Sequence, residues 1–183
     1  MTGTTSITSS AANGQCLVVV TPQYAHNSTL VMIASYTDGA SNLNVNALPT
    51  IANLTKTSIT GNSYSTYYTN LRVTAFKVSF TYIGDALHAG GEASICFDNV
   101  DNIIAGWNVR NNIQDSMFYS KGRADTKISC IWIPQDPGDY QFRLASDYQF
   151  ADKATSWGTM TFAATGLPLS TPVYDVNWTI NLS

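Results

Sequence analysis

Charge is what this sequence has least of. Only 11% of its 183 residues are Asp, Glu, Lys or Arg, against about 25% in an ordinary globular domain. Ser, Thr and Asn fill the gap, and a polar but weakly charged surface costs less to desolvate against a neighbour than one covered in Lys and Glu. The same composition also fits a secreted β protein with a Ser/Thr-rich exterior. Glutamate occurs once, at Glu92, and the remaining acids are scattered over turns. No pair stands out for glycoside hydrolysis, which needs two carboxylates across a cleft. Histidine occurs twice, at His26 and His88, too few for the paired-histidine metal motif of a cupin. His88 lies near Asp85 among many serines, but a histidine beside a Gly-Gly turn is ordinarily a solvated loop residue. GxSxG, P-loop and helix-opening GxGxxG motifs are missing, so an enzyme is disfavoured.

Basic residues are missing from the whole chain before Lys56, and the net charge is −3. Residues 1–14 are dominated by Ser, Thr, Ala, Gly and Asn, and read as a flexible or extended lead-in. They show neither the basic nor the apolar region of a signal peptide. No apolar run approaches the roughly 18 residues that span a bilayer. The cysteines, Cys16, Cys96 and Cys130, are odd in number and widely spaced. With no CxxC and no zinc spacing, they read as small buried hydrophobes in a reducing compartment. Sequons stand at Asn27, Asn53, Asn177 and Asn181. The last two fall in a strand-like segment, where chance matches are the simpler account.

What the sequence has in abundance is period-two patterning. Phe76, Val78, Phe80 and Tyr82 alternate with Lys77, Ser79 and Thr81. Val73 and Ala75 sit in the opposite phase, which a bulge near Ala75 reconciles. Further strands are expected at Ala93, Ile95 and Phe97, over 127–133, at Tyr140, Phe142 and Leu144, and at Met160, Phe162 and Ala164. The clearest alternation is Tyr174, Val176, Trp178, Ile180 and Leu182. Segments 15–21 and 29–36 are continuously apolar, as expected of strands covered on both faces. Together these make about eight strands, the number of a jelly roll or large sandwich. Short helices are candidates over 47–54 and 99–117. The fold class is therefore all-β: an eight-stranded antiparallel jelly-roll sandwich over residues 15–183, with one or two short helices.

Three clusters are candidates for chemistry. In Phe97-Asp98-Asn99-Val100-Asp101, two carboxylates and an amide follow a strand end, and hard cations such as calcium take several such oxygens from flexible loops. Asp and Asn also simply terminate strands. Asp136-Pro137-Gly138-Asp139 reads first as a turn. Lys121, Arg123 and Lys127 form a small basic cluster that could touch phosphates, or a plain charged loop.

The run Leu71-Arg72-Val73-Thr74-Ala75-Phe76-Lys77-Val78-Ser79-Phe80-Thr81-Tyr82-Ile83-Gly84, followed by Gly90-Gly91-Glu92-Ala93-Ser94-Ile95-Cys96-Phe97-Asp98, resembles the shell domain of small icosahedral RNA virus coat proteins of the tombusvirus and nodavirus kind. Ser156-Trp157-Gly158-Thr159-Met160-Thr161-Phe162, Gly166-Leu167-Pro168 and the alternating 173–182 resemble that family's two closing strands. The resemblance covers roughly residues 64–183. It implies a structural subunit that assembles with copies of itself into an icosahedral shell around a genome, in a virion assembled in the host cytoplasm. It also implies that Asp98 and Asp101 lie near a subunit boundary where relatives bind calcium. The sequence departs from the family in lacking a basic N-terminal arm, so viral RNA is expected to bind only weakly. It also stops at Ser183, just past the last strand, where many relatives continue into a projecting domain. An excised shell domain or a minimal subunit is the expectation.

A jelly-roll carbohydrate-binding module or lectin is the alternative, because one scaffold hosts both roles. Trp132 and Trp178 share the inward phase of their strands, which favours core, and Trp107 and Trp157 are left for sugar stacking. A trimeric signalling ligand of the tumour-necrosis type ranks last.

Overall fold

A computed structural model describes residues 2–9, 14–26, 29–36, 54–59, 70–85, 90–98, 118–135, 143–144 and 159–183, with single residues 11, 87, 113, 116 and 137. Among these, the chain order is β1 (Thr2–Thr8), β2 (Cys16–His26), β3 (Thr29–Tyr36), β4 (Leu54–Ile59), β5 (Asn70–Leu71), β6 (Val73–Tyr82), β7 (Glu92–Asp98), β8 (Phe118–Arg123), β9 (Ile128–Trp132), β10 (Arg143–Leu144), β11 (Thr159–Ala164) and β12 (Pro172–Leu182). A four-stranded sheet runs β1-β12-β6-β9 and a six-stranded sheet runs β4-β3-β2-β11-β7-β8, with every neighbouring pair antiparallel.

The order of these strands is that of a jelly roll. Strands β1, β2, β6, β7, β8, β9, β11 and β12 alternate between the two sheets, except where β7 and β8 form a hairpin. The β3–β4 hairpin widens the second sheet beyond β2, and β5 with β10 makes a separate two-residue ribbon. The jelly-roll strands are not all the expected ones. Thr2–Thr8, read as a flexible or extended lead-in ahead of a jelly roll over 15–183, is part of the sandwich as edge strand β1, paired with β12 from Thr2↔Thr179 to Thr8↔Pro172. It buries one large apolar side chain, Ile7, so it carries almost no hydrophobic alternation. Strand β8 was also unexpected. In place of β1 and β8 the expected eight strands include 29–36, which extends the second sheet, and 140–144, of which only Arg143–Leu144 is described as strand. The candidate helices over 47–54 and 99–117 fall almost wholly outside the described residues.

The core lies between the sheets. Phe76, Val78 and Phe80 of β6 and Tyr174, Val176, Trp178 and Ile180 of β12 point inward against Ile95 and Phe97 of β7 and Met160 and Phe162 of β11. Aromatic rings join the layers: Phe162 meets Tyr174 edge-on at 5.0 Å, and Phe97 meets Trp132 at 6.3 Å. Trp132 and Trp178 are core residues, as their phase implied. The bulge expected near Ala75 falls at Thr74: Asn181 pairs with Ala75 but Leu182 with Val73. It brings both Val73 and Phe76 into the core.

Strand β2 shows why its start is continuously apolar. Cys16 and Val18 face the main core, while Leu17 faces the other way, into a small cluster with Cys96, Ala163 and Ile113. The second sheet is thus covered on both sides here. Where β1 meets β12, the outward face of the first sheet is polar by contrast. Thr4 Oγ donates to Asn177 Oδ1 at 2.8 Å, and Ser6 Oγ to Asp175 Oδ1 at 2.7 Å. The sequon residue Asn177 is therefore engaged in a cross-strand ladder.

Candidate functional site

Four connections gather at one end of the sandwich: those between β1 and β2, β6 and β7, β8 and β9, and β11 and β12. Backbone bonds tie them together. Ser9 N–H donates to Thr171 O at 3.0 Å, Leu167 N–H to Gly14 O at 2.9 Å, and Ala124 N–H to Gly91 O at 2.9 Å. The Ser9 hydroxyl also donates to the Pro168 carbonyl. The buried Tyr174 hydroxyl donates to Ala124 O at 2.6 Å, and burial holds its acidity well below that of an ordinary tyrosine. Gly91 and Gly166 permit the closest approach. A Cβ at Gly91 would fall on the Thr165 carbonyl oxygen, and Gly166 takes a φ of +68°, a region open to glycine.

This tied end displays apolar side chains. Ile83 is 45% exposed, Leu87 90% and Leu169 54%. Between the first two, Asp85 Oδ1 accepts the Leu87 N–H at 3.0 Å and so shapes the turn. That is a structural role for the carboxylate nearest His88 in sequence; His88 itself lies outside the described residues.

The basic cluster is brought together here as well. Lys121 and Arg123 lie on β8 and Lys127 just before β9. Two of the three cations are answered within the chain. Lys121 Nζ lies 2.6 Å from Glu92, and Arg123 forms a two-pronged bond to Asp125 at 3.1 and 2.8 Å. A shallow cleft of about 560 Å³ opens beside them, lined by Gly90, Gly91, Glu92, Lys121, Gly122, Arg123 and Thr165. Its walls carry both signs of charge. Lys127 is exposed.

Of the carboxylate pair, Asp98 closes β7 opposite Thr159, and Asp101 lies outside the described residues, as do Asp136 and Asp139. Among the described residues no three His, Cys, Asp or Glu side chains gather as a metal site. Also among them, no helix is long and apolar enough to cross a membrane. Cys16 and Cys96 are buried and Cys130 half-buried. Desolvation pushes the Cys16 thiol up to about 12 and the Cys130 thiol up to about 11. Burial thus disfavours the thiolate, the reactive form, at both positions.

No protein-family model matches this chain, and no curated protein sequence matches it significantly. Solved structures do. Red clover necrotic mosaic virus matches with a TM-score of 0.55 at 13% identity, over 100% of this chain and 54% of that one. Cucumber leaf spot virus matches at 0.57 and 15%, over 97% and 47%. Tobacco necrosis virus matches at 0.51 and 10%, over 98% and 94%. The chain thus spans about half the length of the first two. The sheet order and these matches agree, and the chain has the jelly-roll fold of the shell domain in small icosahedral RNA virus capsids.

Proposed function

We propose that this chain is a viral coat subunit that assembles with copies of itself into a closed icosahedral shell and resides in the virion. The observation that supports the reading is the tied end of the sandwich. Cross-bonded connections present Ile83, Leu87 and Leu169 to solvent, with Leu87 nine-tenths exposed. Large apolar side chains held outward together mark an interaction surface. The sparse charge of the chain lowers the cost of covering the rest. Weak contacts suffice, because closed symmetry makes many act together.

The carboxylates Asp98 and Asp101 belong to the same proposal. At a boundary between copies, ionised carboxylates repel, and calcium or protons relieve the repulsion. RNA contact through Lys121, Arg123 and Lys127 is weak in this reading, since Glu92 and Asp125 already neutralise two of the three. The lectin alternative is not favoured, because the solved structures this fold resembles are those of viruses; Trp107 and Trp157, the tryptophans left for sugar stacking, lie outside the described residues.

The test is the pair Leu87→Lys and Leu169→Lys. Both side chains are exposed, so the thermal midpoint should hold while the assembled fraction falls at least tenfold. Unchanged assembly would remove this end from the account.

A further inference from the structure

The two sheets treat their free edges differently. A strand edge offers unpaired backbone N–H and C=O groups, and proteins guard such edges with charge, lysine above all, or with proline. Among the described residues the six-stranded sheet ends in β4 and β8. β4 carries Lys56, and β8 carries Lys121 and Arg123. Among the same residues the four-stranded sheet ends in β1 and β9. Their sequences, TGTTSIT and ISCIW, hold no charged residue and no proline. β9 goes further and shows Ile131 at 61% exposure, continued by Ile133 at 55%. Both neutral edges belong to one sheet and lie on its opposite sides.

We infer that the neutral edge β1 of one copy lies against the neutral edge β9 of a second copy, continuing the four-stranded sheet from subunit to subunit. This rests on the coat-subunit reading. Charge matching selects the partner. Within β1 and β9 themselves a neighbouring strand meets no ionised side chain, the exposed Lys127 standing one residue before β9, and a neutral strand brings none to desolvate. The free edges β4 and β8 of a second copy would each bring cations, whereas the opposite edge of the same sheet would not. The outward rows are compatible: exposed Thr2, Thr4 and Ser6 on β1 bring small polar and methyl groups to Ser129 and Ile131 on β9. Two different edges make a head-to-tail contact, which closes into a ring when the rotation between copies permits.

The experiment uses the full chain and four proteins: wild type, Thr4→Lys, Ile131→Glu, and both changes in one chain. Thr4 and Ile131 are exposed, so circular dichroism and thermal melts should show all four folded. Sedimentation velocity then gives the assembled fraction. Each single change should lower it at least tenfold. The double change should restore it at low salt, where Lys at 4 meets Glu at 131 of the next copy, and 1 M salt should remove the restoration, because screening there acts over about 3 Å. Loss with Ile131→Glu alone, with Thr4→Lys assembling normally, would mean β9 meets something other than β1 and would overturn the inference. Normal assembly of both single variants would overturn it while leaving the coat reading intact. A wild type that never assembles would overturn the coat reading itself.

Discussion

Phe80 of β6 and Phe162 of β11 stack face to face across the two sheets, with ring centroids 3.9 Å apart and planes 5° from parallel. Neither ring is exposed to solvent. Replacing Phe162 by Ala should cost about 3–5 kcal/mol, read as a fall in thermal midpoint on the order of 10 °C for a domain of this size. A double-mutant cycle with Phe80→Ala should return a coupling of about 0.5–1.5 kcal/mol. Additive losses would show that the rings fill space without a specific mutual term.

Gly90 and Gly91 are adjacent, yet the structure separates them sharply. A Cβ at Gly90 meets nothing within 4 Å, whereas one at Gly91 lands on the backbone of Thr165. Gly91→Ala should therefore part the β6–β7 and β11–β12 connections and lower the melting temperature. Gly90→Ala should leave it within about 0.5 kcal/mol of wild type, as for most surface changes. Equal effects would show that the two connections are not locked at this point.

The thiols predict a pH signature. Unfolded thiols ionise near 9, but burial raises Cys130 to about 11 and Cys16 to about 12. The neutral folded thiols are thus disfavoured against the unfolded thiolates only above pH 9. Their contribution to stability is fully present below pH 9 and is lost as pH rises through about 11 and 12. Chemical denaturation from pH 7 to 11 should show a falling midpoint at the alkaline end. A thiol dye at pH 8 should label the folded protein slowly, with Cys130 ahead of Cys16. Immediate labelling of Cys16 would contradict its burial.

Asp98→Asn combined with Asp101→Asn should leave the fold unchanged and abolish any dependence of assembly on calcium and on acid pH. Sedimentation with calcium and with chelator checks this. Calcium dependence that survives both substitutions would remove the pair from the account.

Much of this fold is written in the sequence where a strand buries a whole face. Strand β12 alternates because Tyr174, Val176, Trp178 and Ile180 all enter the core. The phase break before Phe76 marked the bulge at Thr74. The edges were not legible. β1 buries little beyond Ile7, and Gly3 sits beneath the Trp178 ring where any side chain would collide, so its inward row does not look hydrophobic. In β8, FYSKGR, no alternation survives on a strand that, among the described residues, is bonded to β7 alone. The basic cluster was visible as residues. Its partial neutralisation was not, because Glu92 reaches Lys121 only through the β7–β8 register. The exposure of Leu87 and Leu169 likewise depends on how four distant connections meet.

The most direct test is the mass of the purified chain in solution, measured by light scattering at neutral pH with calcium and checked by negative-stain microscopy. The account predicts closed particles of about sixty copies or more, the smallest number that fills icosahedral symmetry. A monomer or small oligomer that persists at every concentration, with calcium and without, would contradict it.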